Sequence, residues 1–235
     1  MKVGNEYDSP GYFSLSVSAD NRRKEFDIKN HTLIENKLNP DFIFIGDSIT
    51  HFWELNSYFN KPGQLIINRG IGGDTTTYLA KRLWADALQL SPKYCIIGVG
   101  INDSIDLEGD YWKQIPGLPY NEVLIRAKEN YIDIIEQCNK TSTIPIIVSL
   151  LPINIPVSLC EANRKKFICD LNEFLYSYCR EKKLIYVDYY HTTVVPGTNI
   201  LLDGITCDGL HPNANGYNIM ATVLRNTLKK QNIII

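Results

Sequence analysis

Five short apolar runs, separated by longer stretches with helical periodicity, constrain the fold of this chain more than any other feature. The runs cover residues 41–46, 65–68, 94–99, 144–150 and 184–188. Each contains isoleucine and is too short for a typical helix, which predicts buried strands. Strands that are apolar on both faces are typical of parallel sheets covered by helices on two sides.

The stretches between these runs predict helices over residues 75–89, 121–139 and 161–182, and the last stretch predicts a helix over 214–230. This alternation predicts an α/β fold, a three-layer α/β/α sandwich around a five-stranded parallel sheet. The length of 235 residues fits one domain over residues 1–235. Within it, residues 1–40 are predicted to form an N-terminal extension with a helix near 20–37.

Composition excludes several functional classes. With 24 basic and 26 acidic residues the net charge is −2, which gives no electrostatic case for binding nucleic acid or an anionic membrane. No apolar stretch approaches the roughly 20 residues that cross a bilayer. The first residues lack the apolar core of a signal peptide, and the six cysteines contain no C-x-x-C pair. We therefore expect a cytoplasmic protein without metal or cofactor; the oligomeric state stays open, with a homodimer among the options.

Polar and glycine-rich segments follow the first three predicted strands. They are Gly46-Asp47-Ser48, the segment 68–74 and Gly100-Ile101-Asn102-Asp103. Carboxyl ends of parallel strands meet at one edge of a sheet, where α/β proteins place their sites. Ser48 stands on the first of these turns and is therefore a candidate nucleophile.

A base for such a nucleophile is offered by Asp208-Gly209-Leu210-His211. A spacing of three residues in a turn brings the carboxylate to the imidazole Nδ1–H and leaves Nε2 to take a serine proton. Acyl transfer also needs donors for the developing oxyanion. The Ser48 N–H, a bare glycine N–H and the Asn102 amide are candidates, although spacing alone does not choose among Gly70, Gly72 and Gly73.

These four blocks, in this order, resemble the SGNH (GDSL-like) hydrolase family. The glycine block, residues 70–76, is similar to that of platelet-activating-factor acetylhydrolase-like members. The resemblance spans about residues 41–225; one departure is Ile49, where the naming motif of the family has leucine. The chain lacks the Gly-x-Ser-x-Gly elbow of α/β-hydrolases, because position 50 is threonine.

The resemblance implies a flavodoxin-like fold and a serine esterase that acts on a small-molecule ester. Ser48 would be the nucleophile and His211 the base, oriented by Asp208. The oxyanion hole would comprise Ser48, Gly73 and Asn102. An acetyl ester, with a carbohydrate as the alcohol, is the expected substrate. Alternatives are a lysophospholipase or thioesterase for longer acyl chains, an acyltransferase, and a non-catalytic ligand-binding module.

Several of these residues also have purely structural interpretations. Ser48 could only cap a helix, and Asp47, Asp74 and Asp103 are expected to be N-caps or loop ties. Surface or structural roles are expected for His31, His51 and His191, on the ground that they lack a carboxylate at the right spacing, although His51 could line the pocket. Arg69 is expected to be solvated or to steer an anionic substrate. Tyr111, Trp112, Pro116 and Tyr120 could form a lid.

Overall fold

Five parallel strands form one sheet in the computed structural model of the chain, which describes residues 17–109, 113–156, 158 and 160–235. The strands are β1 (Phe42–Gly46), β2 (Ile66–Gly70), β3 (Tyr94–Gly98), β4 (Ile144–Val148) and β5 (Ile185–Val187). They lie in the order β2-β1-β3-β4-β5, and every neighbouring pair is parallel. This is the flavodoxin-like order, in which the chain reverses direction across the sheet beside β1.

Eight α-helices connect or flank these strands within the described residues. They are α1 (Val17–Glu35), α2 (Ser48–His51), α3 (Leu55–Tyr58), α4 (Thr76–Asp86), α5 (Tyr120–Asn139), α6 (Glu161–Lys182), α7 (Tyr190–Thr193) and α8 (Ala214–Lys230). Short 3₁₀ turns cover Leu88–Leu90 and Asn102–Leu107. None of the described helices is both long enough and apolar enough to cross a membrane.

Alternate residues of each strand face two separate cores. Ile43, Ile45 and Ile97 belong to the core that α4, α5 and α6 cover. Phe42 and Phe44 belong to the opposite core, which α8 and the residues around α3 cover. Burial on both faces explains why the strands have continuous apolar sequences, and it produces the predicted three layers.

The predicted α/β/α architecture is confirmed, and the five predicted strands and five long helices are all present. The loops hold more structure than the sequence indicated. Helices α2 and α3 follow the first strand directly, and α7 lies within the predicted loop 189–210. Each of these helices has only four residues, which is too few for a helical period to be visible in the sequence.

Candidate active site

Ser48 begins α2 immediately beyond the carboxyl end of β1. The helix starts there because the Asp47 side chain accepts a hydrogen bond from the Ile49 N–H at 2.9 Å, the role of an N-cap residue. The Asp47 side chain is buried. Ser48 is thus the first helical residue rather than the cap, and its hydroxyl is free to meet a base.

Glycines at the ends of three adjacent strands make room for this turn. Gly46 lies in register with Gly70 on β2 and with Gly98 on β3. A Cβ on Gly46 would lie 2.0 Å from the Gly98 carbonyl oxygen, and one on Gly70 would lie 2.2 Å from the His51 nitrogen. The missing side chains therefore let α2 pack directly on the sheet edge.

The structure brings Ser48, His211 and Asp208 into one hydrogen-bonded chain. The Ser48 Oγ lies 2.9 Å from His211 Nε2, and His211 Nδ1 lies 2.7 Å from Asp208 Oδ2. Ser48 and His211 are 163 residues apart in sequence, so the fold alone creates this contact. The arrangement matches the nucleophile, base and orienting acid of a serine hydrolase.

The loop that carries His211 is held on both sides. The Gly209 carbonyl accepts a hydrogen bond from the Asn154 N–H at 2.8 Å. Gly209 has a φ of +81°, and a Cβ there would lie 1.8 Å from the Asn154 oxygen, so glycine is required sterically as well as conformationally. On the other side, Asn213 caps α8 by accepting from the Asn215 and Gly216 N–H groups.

Asp208 is stabilised in its ionised form. Burial alone would raise the pKa of this carboxyl, but the His211 and Leu210 N–H groups and the His211 imidazole outweigh burial and hold the pKa below its usual value. An ionised Asp208 keeps the proton on His211 Nδ1 and leaves Nε2 as an acceptor for the Ser48 hydroxyl.

The glycine block lies against Ser48. A Cβ on Gly72 would lie 3.9 Å from the Ser48 Cβ, and the Gly72 N–H donates to His51 Nδ1 at 3.2 Å. Gly73 has a φ of +80° with nothing within 4 Å of its missing Cβ. Asn102 Nδ2 donates to the Asp74 carbonyl at 2.9 Å, which leaves its second amide hydrogen free. Asn102 is thus tied to the residue that follows Gly73, and Gly72, the residue before Gly73, lies against Ser48.

A buried arginine, Arg82 on α4, joins the three segments that surround the site. Its guanidinium donates to the Gly46 carbonyl at 3.0 Å and to the Arg69 carbonyl at 2.9 Å. It also donates to Asp74 at 2.8 Å and to Asp86 at 3.0 Å. The turn before Ser48, the end of β2 and the glycine block are therefore fixed by a single side chain. This role is not visible in the sequence, because an arginine on an amphipathic helix is usually solvated.

Asp74 and Asp103 act as ties, as predicted. Asp74 accepts from the Thr75 N–H and from Arg82. Asp103 accepts from both the N–H and the hydroxyl of Thr76, at 3.0 Å and 2.5 Å. Burial raises the pKa of Asp103 to about 6. These contacts anchor the start of α4 to the segment that carries Asn102.

The expectation that Arg69 is solvated or steers substrate is wrong. The side chain is buried, donates to Asn30 Oδ1 at 2.6 Å and packs over the Phe26 ring. The cause is α1, which covers this end of β2. A charge held there is unavailable to a substrate at the carboxyl edge of the sheet.

The expectation that His191 lacks a carboxylate partner is also wrong. Its Nδ1 lies 2.7 Å from Asp188 Oδ2, the same contact at the same spacing as in Asp208–His211. The signal was present in the sequence as Asp188-Tyr189-Tyr190-His191. This second pair lies directly after β5, at the start of α7, whereas the Ser48 hydroxyl is hydrogen-bonded to His211.

The other histidines have structural contacts. His31 lies 3.4 Å from Glu35 on the surface of α1, and His51 accepts from Gly72 and stacks on Phe52. Burial, followed by the charge of Arg22, lowers the pKa of His51.

Phe52 was not predicted as a site residue. Its exposed ring meets the His211 ring edge-on, with centroids 5.6 Å apart. Of the suggested lid, Tyr111 and Trp112 lie outside the described residues.

Comparison with known proteins finds a matching family and similar solved structures. The model of the GDSL-like lipase/acylhydrolase family matches residues 44–219. A GDSL-like lipase from Bacteroides thetaiotaomicron VPI-5482 superimposes with a TM-score of 0.72 at 26% identity, over 88% of this chain and 97% of that one. The acetylxylan esterase Axe2 from Geobacillus stearothermophilus shares the fold, with a TM-score of 0.61 at 17% identity over 82% of this chain and 96% of Axe2.

A curated relative matches part of the chain. It is the uncharacterized lipoprotein YqeF of Bacillus subtilis (strain 168), which is 35% identical over 127 residues. The match covers 48% of this chain and 49% of the relative. The chain therefore spans about half the length of that relative.

Proposed function

Because the chain belongs to the GDSL-like lipase/acylhydrolase family, we propose that it is a serine esterase that forms an acyl-enzyme on Ser48. One observation carries the proposal. The Ser48 hydroxyl lies 2.9 Å from His211 Nε2, while Asp208 holds the opposite ring nitrogen at 2.7 Å. A serine that only capped a helix would not need a histidine at hydrogen-bond distance, nor a carboxylate to orient that histidine.

The proposed reaction follows from these contacts. His211 takes the Ser48 proton while Oγ attacks the ester carbonyl, and the resulting imidazolium is stabilised by Asp208. The N–H groups of Ser48 and Gly73 and the Asn102 amide stabilise the oxyanion. His211 then protonates the departing alcohol, and the acyl group remains on Oγ. Water, deprotonated by His211, attacks this ester and releases the acid.

The proposed acyl group is small, with acetyl favoured. The similarity of the glycine block, residues 70–76, to that of platelet-activating-factor acetylhydrolase-like members supports this choice. We extend the proposal to carbohydrate esters on the strength of the family resemblance.

A second candidate is an esterase for longer acyl chains, such as a lysophospholipase or thioesterase. The exposed Phe52 ring beside His211 favours it, since a long acyl chain can pack on that ring. A p-nitrophenyl ester series separates the two. We expect the highest kcat/KM with acetyl, and a maximum at octanoyl or beyond would contradict the acetyl proposal.

Labelling with a fluorophosphonate tests the nucleophile directly. We expect wild-type protein to label and Ser48→Ala to remain unlabelled, because the reagent needs an activated serine. Ser57→Ala, at an exposed serine of α3, is the matched control and should label like wild type. An unlabelled wild-type protein would instead favour a non-catalytic binding module.

The base is tested by His211→Ala. We expect kcat to fall by several orders of magnitude while the fold is retained, because Ser48 loses its proton acceptor. Circular dichroism should match that of wild type, since His211 is on a surface loop held by Asn154 and Asn213. A merely twofold loss of kcat would remove His211 from the mechanism.

The acyltransferase alternative is tested by product analysis. An acylated sugar formed when a sugar acceptor is present would reveal an acyltransferase.

A further inference from the structure

A second pocket lies beside the edge strand β5, three strands away from β1. We call it the edge pocket. Its volume is about 530 Å³, and its walls include Tyr176, Tyr186 and Tyr190 together with Glu173, Asp188 and His191. At about 4.8 Å per strand, β5 lies roughly 14 Å from β1. The pocket is therefore distinct from the site at Ser48.

The aromatic walls of the edge pocket are held in place. The Tyr176 and Tyr186 rings meet edge to face, with centroids 5.7 Å apart and planes at 68°. Tyr190 is fixed by its N–H, which donates to Ser149 Oγ at 2.9 Å, and by its hydroxyl, which lies 3.3 Å from Cys169 Sγ. All three rings line the same volume, and the face of an aromatic ring attracts an organic cation.

The charge of the edge pocket is negative. Glu173 and Asp188 contribute carboxylates, and the lining residues include no lysine or arginine. Asp188 is hydrogen-bonded to His191, whereas Glu173 has no ion pair within the described part of the chain. The two carboxylates therefore give the lining its acidic character. A neutral ligand gains nothing from this charge, but a cation is attracted by it.

We propose that the edge pocket binds a small organic cation, an alkylammonium group held against the faces of Tyr176, Tyr186 and Tyr190 and balanced by Glu173 and Asp188. Cation–π contact and the two carboxylates act on the same ligand charge. The aromatic walls suit methylated ammonium, which is poorly hydrated, more than they suit an inorganic ion. The site does not use Ser48, so the proposal does not depend on the esterase activity.

Choline and its uncharged isostere 3,3-dimethyl-1-butanol form a matched pair of probes. We expect choline to bind in a calorimetric titration at least about tenfold more tightly than the alcohol. In ¹⁵N-resolved spectra of the four histidine rings, choline should shift His191 and leave His211 unmoved. Equal binding of the two probes, or shifts at His211 instead of His191, would overturn the proposal.

Variants separate the edge pocket from nonspecific attraction. Glu173→Gln and Tyr176→Ala should each weaken choline binding by about fivefold or more. Both residues are on the exposed side of α6, so the fold should be retained. Glu181→Gln, on the same helix but outside the pocket, removes the same charge and should leave choline affinity unchanged. If Glu181→Gln weakened choline binding as much as Glu173→Gln does, the cation site would be contradicted. The same holds if monosaccharides shifted the His191 signals and choline did not.

Discussion

Asp47, one residue before the candidate nucleophile, is a buried carboxyl whose protonation depends on pH. Burial raises its pKa to about 7, against the opposing effect of the hydrogen bond from the Ile49 N–H. In the unfolded chain the same group ionises near pH 4. The folded state therefore holds the proton longer, and the stability of the protein falls as the pH rises from about 4 to about 7. Above that range the penalty is constant.

Asp47→Asn should therefore stabilise the protein at pH 8. Asparagine keeps the oxygen that accepts from the Ile49 N–H but cannot ionise, so the penalty for burying a charge disappears. The gain in the free energy of unfolding should be as much as about 4 kcal/mol at pH 8 and close to zero at pH 4. Urea unfolding at both pH values measures it. A gain that is equal at both pH values would show that Asp47 is not the titrating group.

Asn102 has one amide hydrogen committed to the Asp74 carbonyl and one available for an oxyanion. Asn102→Ala should lower kcat by about 10² to 10³, with little change in KM, because the lost donor acts on the transition state. Asn102→Asp has nearly the same shape but replaces the donor with an acceptor, and its kcat should fall at least as far. Steady-state kinetics on p-nitrophenyl acetate measures both. An Asn102→Asp enzyme with wild-type kcat would exclude the oxyanion role.

The sequence identified residues whose chemistry is visible in local spacing. Ser48 on its turn, and Asp208 three residues before His211, were recognisable without coordinates. The same spacing occurs at Asp188 and His191. Spacing alone therefore does not identify a catalytic pair, because such a pair becomes catalytic only where a nucleophile faces it. Arg69 was misplaced for a different reason. Its burial depends on α1, whose packing partner cannot be read from local sequence.

At the scale of elements, the strands and long helices were predictable because burial imposes clear periods. The predicted run 41–46 differs by one residue from β1, Phe42–Gly46, and the predicted helix 161–182 coincides with α6. The contacts between elements were not predictable. Arg82 donates to Gly46 and Arg69, 36 and 13 residues away, and these acceptors are backbone carbonyls, which carry no signature in the sequence.

Helix α4 therefore serves the candidate site through Arg82, which we regard as a positioning residue. Arg82→Lys keeps the charge but loses the planar fork that reaches several acceptors at once. We expect kcat to fall about tenfold or more while KM changes little, because the Ser48 turn and the glycine block lose their common support. A variant that is folded, with kcat and KM both unchanged, would show that Arg82 has a structural role only.

Removing the charge separates stability from positioning. Arg82→Met leaves Asp74 and Asp86 without this buried partner, which should cost about 3 to 5 kcal/mol of unfolding free energy. Lys81→Met, at the exposed neighbouring position of α4, is the control and should change stability by less than about 0.5 kcal/mol. Chemical denaturation of the two variants measures the difference. Similar losses for both would contradict the buried network.

At the scale of the whole molecule, α1 joins the N-terminal extension to the sheet through a mixed polar and apolar stripe. Arg23 pairs with Asp86, and the Asn30 amide donates to the Ala85 carbonyl at 2.9 Å. The guanidinium groups of Arg22 and Arg69 both pack on the Phe26 ring, each 4.9 Å from its centre. Because buried and exposed positions are both largely polar, the sequence predicted the helix without its packing face.

Phe26 tests whether α1 is an integral part of the fold or a dispensable addition. The ring is fully buried, whereas Ile28 on the same helix is 71% exposed. Phe26→Ala should lower the free energy of unfolding by about 3 to 5 kcal/mol, because it leaves a cavity against Arg69 and the end of α4. Ile28→Ala should change it by less than about 0.5 kcal/mol. Unfolding should remain a single transition when followed by both far-ultraviolet circular dichroism and tryptophan fluorescence, since α1 shares the Arg82 network with the site. If the Phe26→Ala protein were as stable as the Ile28→Ala protein, α1 would pack on the sheet without contributing to the stability of the fold.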